Sequence, residues 1–556
     1  MTTTPINRPA AVPRARSRAG AVAIVAVVAG GVTLLIRLAM HRRSFDLFGD
    51  EVIYTDLGRS VISGGFPRFD GGAFFLHGPG FFYLEAGWAR LAGNQPDLMG
   101  WIFEMRTLNA LLAGATAVTL VLLAARASSL RAGAVAGLLF ALEPFCIRQN
   151  DRVLLETALM FWVMLGYLVF TSLIGRPPSR RDWPRAVAAG LLFGCAVLTK
   201  DEGALLTVLP LLAAAALRWG PRRALTLLTV GVTSAVYAAY VAVVAANGQI
   251  RGLWEAKTSG IQRMLGLVQT TGFHSSGGGD LPGRVIAEAD YFGTTYVVLA
   301  LAVPAVVVLL RRGGQLPRML GLLCCAAGVT LGYALVLGTL EEQELYLLVV
   351  PSLVSIPVAA TLLHAGGRSR SRSRSRRMPA PRSRRGIPRT AVIAAVLTLA
   401  LSLNLVTCVR WLWQPDDGFA QLLQYMAGHV PAGTQVDDDD SQYALAGRYQ
   451  VVSWDTPAAL SQAHVRYMVV EWALINDGYS DLTASQVRQL VGDGRLVFSF
   501  RGRTFGQLAL YQLPPPPGPA PGVHEDERAV RPPRSQNRPV IRNPQWHATA
   551  GHRSEP

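Results

Sequence analysis

GAVAIVAVVAGGVTLLIRLAMHRRSFDLFGDE, residues 20–51, sets a long apolar run against a pair of carboxylates. The run from about 20 to 40 is long enough to cross a hydrocarbon core of about 30 Å. It lacks a small-residue cleavage site and reads as a retained span, not a leader. Asp50 and Glu51 stand just beyond it, where removing a charge from water is expensive. What such a pair does there depends on how the rest of the chain crosses the membrane.

The composition supports repeated crossing. The 556 residues are 51% hydrophobic and 16% charged, with a mean hydropathy of +0.30, whereas soluble domains carry about 25% charged residues. The net charge of +17 would suit a nucleic-acid binder, but its distribution points elsewhere. Arginine supplies nearly all of it, Lys200 and Lys257 being the only lysines, and much of it lies in short loops between apolar runs. That is the pattern of a topology signal. The five cysteines, Cys146, Cys195, Cys324, Cys325 and Cys408, fall in or beside apolar segments, so no disulfide framework is expected.

Eleven spans are predicted, at about 20–40, 107–125, 131–146, 154–174, 185–199, 202–217, 223–246, 291–310, 317–339, 345–364 and 390–409. Alternate loops collect the arginines, from Arg8, Arg14, Arg16 and Arg18 through Arg126 and Arg131 to the run GRSRSRSRSRRMPAPRSRRGIPR. The positive-inside rule makes these cytoplasmic, with a disordered N-terminus over 1–19 and a basic loop over 365–389. The other face receives the first loop, 41–106, a second large loop, 247–290, the segments TKDEG and TLEEQE, and everything after 410. The chain is therefore expected to be all-α within the membrane, in the plasma membrane, with its N-terminus cytoplasmic. Residues 410–514 read as a small α/β unit outside the membrane, with helices in DGFAQLLQYMAGHV and TASQVRQLVGDG and strands in RYQVVSW, RYMVVEW, RLVFSF and GQLALYQL. The run Asp437 to Asp440 reads as a solvated turn, and 515–556 as a disordered Pro/Arg-rich tail. GGG at 277–279 lacks the context of a phosphate-binding loop, and no His/Cys cluster has metal-ligand spacing.

Five polar groups gather at the outer ends of the predicted spans. Asp50 and Glu51 raise one another's pKa and suit a general base, although Asp50 can equally cap the helix that follows. FLHGPGFFYLEAGWARLAG carries His77 in a Gly-Pro turn ahead of an amphipathic helix. Arg152 and Glu156 are four apart and would share a helix face, in a stretch that also holds Arg148. Lys200, Asp201 and Glu202 separate two apolar runs, and Glu341, Glu342, Glu344 and Tyr346 mark the entry to the tenth span.

In order, these stretches resemble the GT-C class of membrane glycosyltransferases across roughly residues 30–365, in particular protein O-mannosyltransferases, the lipid A aminoarabinose transferase and the RgtA/B/C/D-like proteins. The resemblance rests on Gly49-Asp50-Glu51, on HGPGFFY where relatives often carry Lys-Pro-Pro, on Arg152 and Glu156, on GLLFGCAVLTK and on YLLVVP. It implies a polyprenyl-phosphate-linked sugar as donor, a cell-envelope acceptor, and inversion at the anomeric carbon. It implies Asp50 as base with Glu51 beside it, and Lys200, Arg148, Arg152 and His77 as candidates for the donor phosphate. Glu156, Asp201, Glu202, Glu342 and Tyr346 are then expected around the substrates, with no metal or other cofactor and no nucleic acid. A histidine in place of the usual lysine leaves open which cation meets the phosphate. The competing reading is a transporter or lipid flippase of similar helix count, against which stand the absence of an internal repeat and the placement of the acids at one face.

Overall fold

In the computed structural model, residues 14–515 are described, apart from 42, 70, 94, 96, 268–272, 274–280, 375–388, 439–444, 446–447 and 481. The tail, the triglycine, Asp439, Asp440 and most of the basic N-terminus and loop lie outside the described residues. A bundle of helices carries a small sheet unit at one end. In chain order the helices are α1 (Arg14–His41), α2 (Gly49–Ser60), α3 (Gly80–Ala92), α4 (Leu98–Ala127), α5 (Leu130–Leu142), α6 (Pro144–Asn150), α7 (Leu155–Phe170) and α8 (Asp182–Thr199). Then come α9 (Gly203–Leu217), α10 (Arg223–Ala246), α11 (Ile250–Met264), α12 (Leu281–Ala287), α13 (Ala289–Arg312), α14 (Gln315–Leu337), α15 (Tyr346–Arg374) and α16 (Arg389–Trp413).

Each predicted span falls on a helix, but eleven full crossings are not what the helices provide. Among the described residues eight helices are long and apolar enough to cross, or nine if α5 and α6 make one broken span bent by 62°. The 15 residues of α9 rise only about 22 Å, and α8 with α9 folds as a short hairpin around Lys200-Asp201-Glu202. The break between α5 and α6 has a local cause. Glu143 starts a new helix by accepting from Cys146 N (2.7 Å), with Pro144 in the first turn. The carbonyls released at the end of α5 are taken by Arg37 of α1, whose Nη1 and Nη2 donate to Ala141 O (2.5 Å) and Phe140 O (2.9 Å). A fully buried arginine inside an apolar helix thus replaces the backbone bonds that water cannot supply there.

The sheet unit starts with α17 (Gly418–His429) and has five strands, β3 (Gln435–Asp437), β4 (Gln450–Val452), β5 (Tyr467–Glu471), β6 (Arg495–Arg501) and β7 (Gln507–Gln512), the hairpin β1 (Arg68–Phe69) and β2 (Gly72–Ala73) lying in the first loop. Its order is β4-β3-β5-β7-β6, parallel from β4 to β5 and antiparallel from β5 to β6. All four predicted strands are present, and β3 joins them. The expected acidic turn is different: Asp437 ends β3, and both Asp437 and Asp438 are buried. Asp437 accepts from Trp454 N (2.9 Å), so its charge is spent on backbone, which a solvated turn would not do.

One face of the sheet shares a core with the first loop: Phe419, Leu422, Leu508 and Leu510 pack with Phe81, Phe82, Ile53 and Leu57. Backbone pairing extends the seam, Asp46 N donating to Asp416 O (3.1 Å) and Asp416 N to Arg43 O (3.0 Å). The sheet unit is therefore built onto the end of the bundle where α2 and α3 lie.

Candidate active site

The chain enters α2 through Phe48, whose N–H donates to Glu51 Oε1 (3.0 Å). Glu51 also receives Arg106 of α4 through two bonds, Nε to Oε2 at 2.9 Å and Nη2 to Oε1 at 2.6 Å, with Val153 N at 3.2 Å. Both side chains are fully buried. The expectation that Glu51 shares in the chemistry therefore meets a carboxylate with its oxygens committed to α4 and to the α6–α7 connection. Its neighbour is different. Asp50, on the first turn of α2, is half-buried, and it accepts a hydrogen bond from Tyr54 one turn on. Burial, then the charge of Glu156, raises its pKa to about 6, against the pull of Arg263 and Lys200.

The residues around Asp50 come from distant parts of the chain. Lys200, at the C-terminal cap of α8, is buried and donates to Glu156 Oε1 on the first turn of α7 (2.8 Å) and to Glu344 Oε1 (3.4 Å), with Glu202 at 3.8 Å. Burial opposes its charge, but Glu156, Glu202 and Glu344 outweigh that and hold the ammonium well above the usual lysine range. The His-Gly-Pro-Gly turn lies against the same cap. A Cβ on Gly78 would sit 2.2 Å from Leu198 O and one on Gly80 at 3.0 Å, so glycine is what lets the turn reach α8. His77, half-buried, faces Tyr54 and Phe74 edge-on or tilted, each with ring centroids 6.1 Å away. Burial, and then Lys200, Lys257 and Arg263, press its pKa well below the ordinary value, so it is a neutral imidazole.

Two cations come from α11, in the second large loop. Lys257 donates to Asp201 Oδ2 (2.5 Å) and to Leu76 O (2.9 Å), and Tyr237 completes Asp201 from Oδ1 (3.2 Å). Arg263 pairs with Glu341. Both cations keep about a fifth of their side-chain surface exposed, unlike Lys200 at 5%. Neither α11 cation was among the predicted site residues. The signals were available: Lys257 is one of two lysines in the chain, and IRGLWEAKTSGIQRM has the spacing of a two-faced helix.

Four predictions land elsewhere. Arg152 and Glu156 do not share a helix face, because α7 begins only at Leu155 and residues 152–154 are not helical. Glu156 turns to Lys200, while Arg152 Nη2 donates to Thr504 of the sheet unit (2.8 Å) and its guanidinium lies 5.1 Å from the Phe48 ring centre. Burial, then Arg148, lowers Arg152 to about 10, so it stays charged at neutral pH. Arg148 and Arg152 line a pocket with Phe48, Gln149, Glu342, Asp477 and Tyr479, away from Lys200. At the entry to α15 the backbone winds as a 3-10 turn over Glu342–Leu345, and Glu344 rather than Glu342 meets Lys200. Tyr346 is fully buried and accepts from Asn150 Nδ2 (2.9 Å), a bond inside the bundle. Glu342 instead joins Glu288 and Asp477, with one ligand atom of each within 4.8 Å of the others. Arg284 is already among them, paired with Asp477 and 3.7 Å from Glu288.

Residues 83–248 match the family model of dolichyl-phosphate-mannose-protein mannosyltransferases. That stretch carries Glu156 and Lys200 and leaves Asp50 and His77 outside it. No curated protein matches the chain. Among solved structures, the oligosaccharyltransferase AglB of Archaeoglobus fulgidus, in complex with an inhibitory peptide and a dolichol-phosphate, superposes with a TM-score of 0.53 at 13% identity, covering 87% of this chain and 73% of its own. ArnT of Cupriavidus metallidurans, bound to undecaprenyl phosphate, superposes with a TM-score of 0.50 at 14% identity, covering 90% and 99%. The fold is that of the GT-C class. With its long apolar helices the chain is a polytopic membrane protein of that fold, and the mannosyltransferase family model matches residues 83–248 of it.

Proposed function

We propose that the chain transfers a sugar from a polyprenyl-phosphate donor to an acceptor hydroxyl, with inversion, and that Asp50 is the base. The observation that carries this reading is the half-buried Asp50, poised at about 6 in the field of the partly exposed Arg263 and the buried Lys200. A base with that pKa is mostly ionised at neutral pH and still accepts a proton from an attacking hydroxyl. The acceptor oxygen bonds to the anomeric carbon as its proton passes to Asp50. The bond from that carbon to the phosphate oxygen breaks, and the electron pair leaves with polyprenyl phosphate. Positive charge spreads over the ring in the transition state, so the Asp50 carboxylate also serves as a nearby anion.

Lys257 and Arg263 are the cations best placed to receive the leaving phosphate, with neutral His77 as an N–H donor and Lys200 as the buried charge behind them. Lys200 is shared among three carboxylates, so we assign it the role of holding α7, α8 and the 342–345 turn in register. Glu156 tunes Asp50, and Asp201 and Glu202 set the positions of the two lysines. Glu51 is a positioning residue. The polyprenyl phosphates bound to the archaeal and Cupriavidus proteins support the donor class. We further propose that no divalent metal is required, since Arg284 already occupies the one gathered group of three carboxylates among the described residues.

The test is release of polyprenyl phosphate by the purified protein from a panel of polyprenyl-phosphate sugars with crude envelope acceptor. Asp50→Asn, folded like wild type, is expected to lose at least about a hundredfold. Exhaustive chelation is expected to leave wild-type release in place. Release unaffected by the substitution would remove Asp50 from the chemistry, and none from any donor would favour the transporter reading. Activity lost to chelator and restored by a divalent cation would overturn metal independence.

A further inference from the structure

The proposed mechanism gives the sheet unit no part, yet a chain of polar groups runs from it to Arg263. The chain starts at Tyr479. The short helix Trp472–Asn476 is ended by Gly478, whose φ of +74° is costly for a residue with a Cβ, and Tyr479 N then donates back to Leu474 O (3.0 Å). Beyond that turn the Tyr479 ring meets Phe48 edge-on, with centroids 5.7 Å apart, and its hydroxyl donates to Gln343 Oε1 (3.2 Å). Gln343 Nε2 donates in turn to Glu341 Oε2 (2.6 Å), and Glu341 Oε1 pairs with Arg263 of α11.

The order of donors and acceptors fixes each group. A carboxylate only accepts, so the Gln343 amide presents its nitrogen to Glu341 and its oxygen to Tyr479, and the phenol must donate. Both Gln343 and Glu341 are buried, so a bond lost there is not readily replaced by water. The turn that carries them is anchored on its other side: Glu344 Oε2 accepts from Glu341 N (3.3 Å) and Glu344 Oε1 from the buried Lys200 (3.4 Å). Arg263 stands on the last turn of α11 with about a fifth of its side chain exposed. A carboxylate with both oxygens free takes a guanidinium through two bonds. By occupying Oε2, Gln343 limits Glu341 to its other oxygen and leaves guanidinium N–H groups for a ligand. A side chain already aimed also loses less rotamer freedom when the ligand arrives. Resting on the reading of Arg263 as a cation for the donor phosphate, we infer that Tyr479 and Gln343 are positioning residues for Arg263, and that through them the sheet unit acts on the donor side of the site.

The experiment measures binding apart from turnover. Full-length protein in detergent is titrated with farnesyl phosphate, and with farnesol as the same chain without the charge. Wild type is expected to prefer the phosphate. Tyr479→Phe, which removes only the hydroxyl, and Gln343→Leu, which keeps the bulk, are each expected to weaken phosphate binding by about three- to tenfold. Farnesol binding and melting temperature are expected to stay as in wild type. In an Arg263→Met background the same two substitutions are expected to have no further effect, which is the mark of action through Arg263. Equal weakening in both backgrounds, or none in either, would overturn the relay and leave the donor reading in place. A lowered melting temperature with phosphate binding unchanged would reduce Tyr479 and Gln343 to structural contacts. A wild type without preference for the phosphate over the alcohol would remove Arg263 as a phosphate cation, and the relay with it.

Discussion

Asp50 and Glu51 are adjacent in sequence and opposite in use, because a helix turns successive side chains by about 100°. Glu51 points into the seam with α4, and Asp50 points toward Tyr54 and the cations. The raised pKa of Asp50 has a direct consequence. The base form is lost as pH falls through about 6, so the transfer rate is expected to drop about tenfold per unit below that value and to level off above it. A pH–rate profile of polyprenyl phosphate release checks this, and a flat acid limb would contradict it. Glu85 on α3 behaves differently. It is buried without a hydrogen-bond partner for either oxygen among the described residues, under a glycine of α2 whose Cβ would sit 2.6 Å from Glu85 Oε2. Burial raises its pKa well above the usual range, so the fold favours the neutral acid. Stability is then greatest below the unfolded pKa of about 4.3 and falls as pH rises toward the folded value, by up to about 1.4 kcal/mol per unit. Glu85→Gln is expected to remove that fall, read as melting temperature against pH with and without the substitution.

Between elements, the Glu51–Arg106 pair is the tie that seats α2. Arg106 also donates to the carbonyls of Ser44 (2.5 Å) and Asp46 (3.2 Å), so one guanidinium organises the whole approach to α2. Removing one partner leaves the other charged and buried, at a cost of about 3–5 kcal/mol. Glu51→Ala is accordingly expected to lower the melting temperature in detergent strongly, whereas Glu51→Gln, still an acceptor for Arg106, should lose less. Equal melting temperatures for wild type and Glu51→Ala would mean that the pair does not seat α2. The arginine–glutamate spacing that suggested one helix face, Arg152 and Glu156, was misleading for a related reason. The chain turns tightly at 152–154, where Leu154 N donates to Arg152 O (3.0 Å), and each side chain finds its partner in a different element.

For the molecule as a whole, the sheet unit, α2, α3 and the Asp50 cluster share one end of the bundle, and the arginine-rich connections lie in alternate loops. We propose from the charge distribution that the sheet end faces away from the cytoplasm, in the plasma membrane. Single cysteines placed at Arg180 and at Arg501, in a background lacking the native five, test this in intact cells with a membrane-impermeant thiol reagent. Labelling is expected at 501 and not at 180, and the reverse pattern would invert the topology. The same arrangement explains why the sheet unit is more than an appendage. Its Thr504, Asp477 and Tyr479 meet Arg152, Arg284 and Gln343 of the connections at this end of the bundle, so the site region is closed only when both parts are folded together.

Apolar run length and the alternation of arginine determined, from sequence alone, that this is a polytopic helical protein with its acids at one face. The order of Asp50, His77, Glu156 and Lys200 was legible too, since each interrupts or borders an apolar run. The tertiary structure decided which of these groups are free to act. Glu51 lies beside Asp50 in sequence, yet only the packing of α4 shows that Arg106 has claimed it. Glu344, not Glu342, meets Lys200, because the position of the 342–345 turn against α8 is set by packing between elements. Lys257 and Arg263 entered the site because α11 folds back over the HGPG turn, an approach across nearly two hundred residues that no local spacing encodes. Sequence periodicity reports which face of an element is apolar. Which charge meets which is set by contacts between elements, and those exist only in the folded chain.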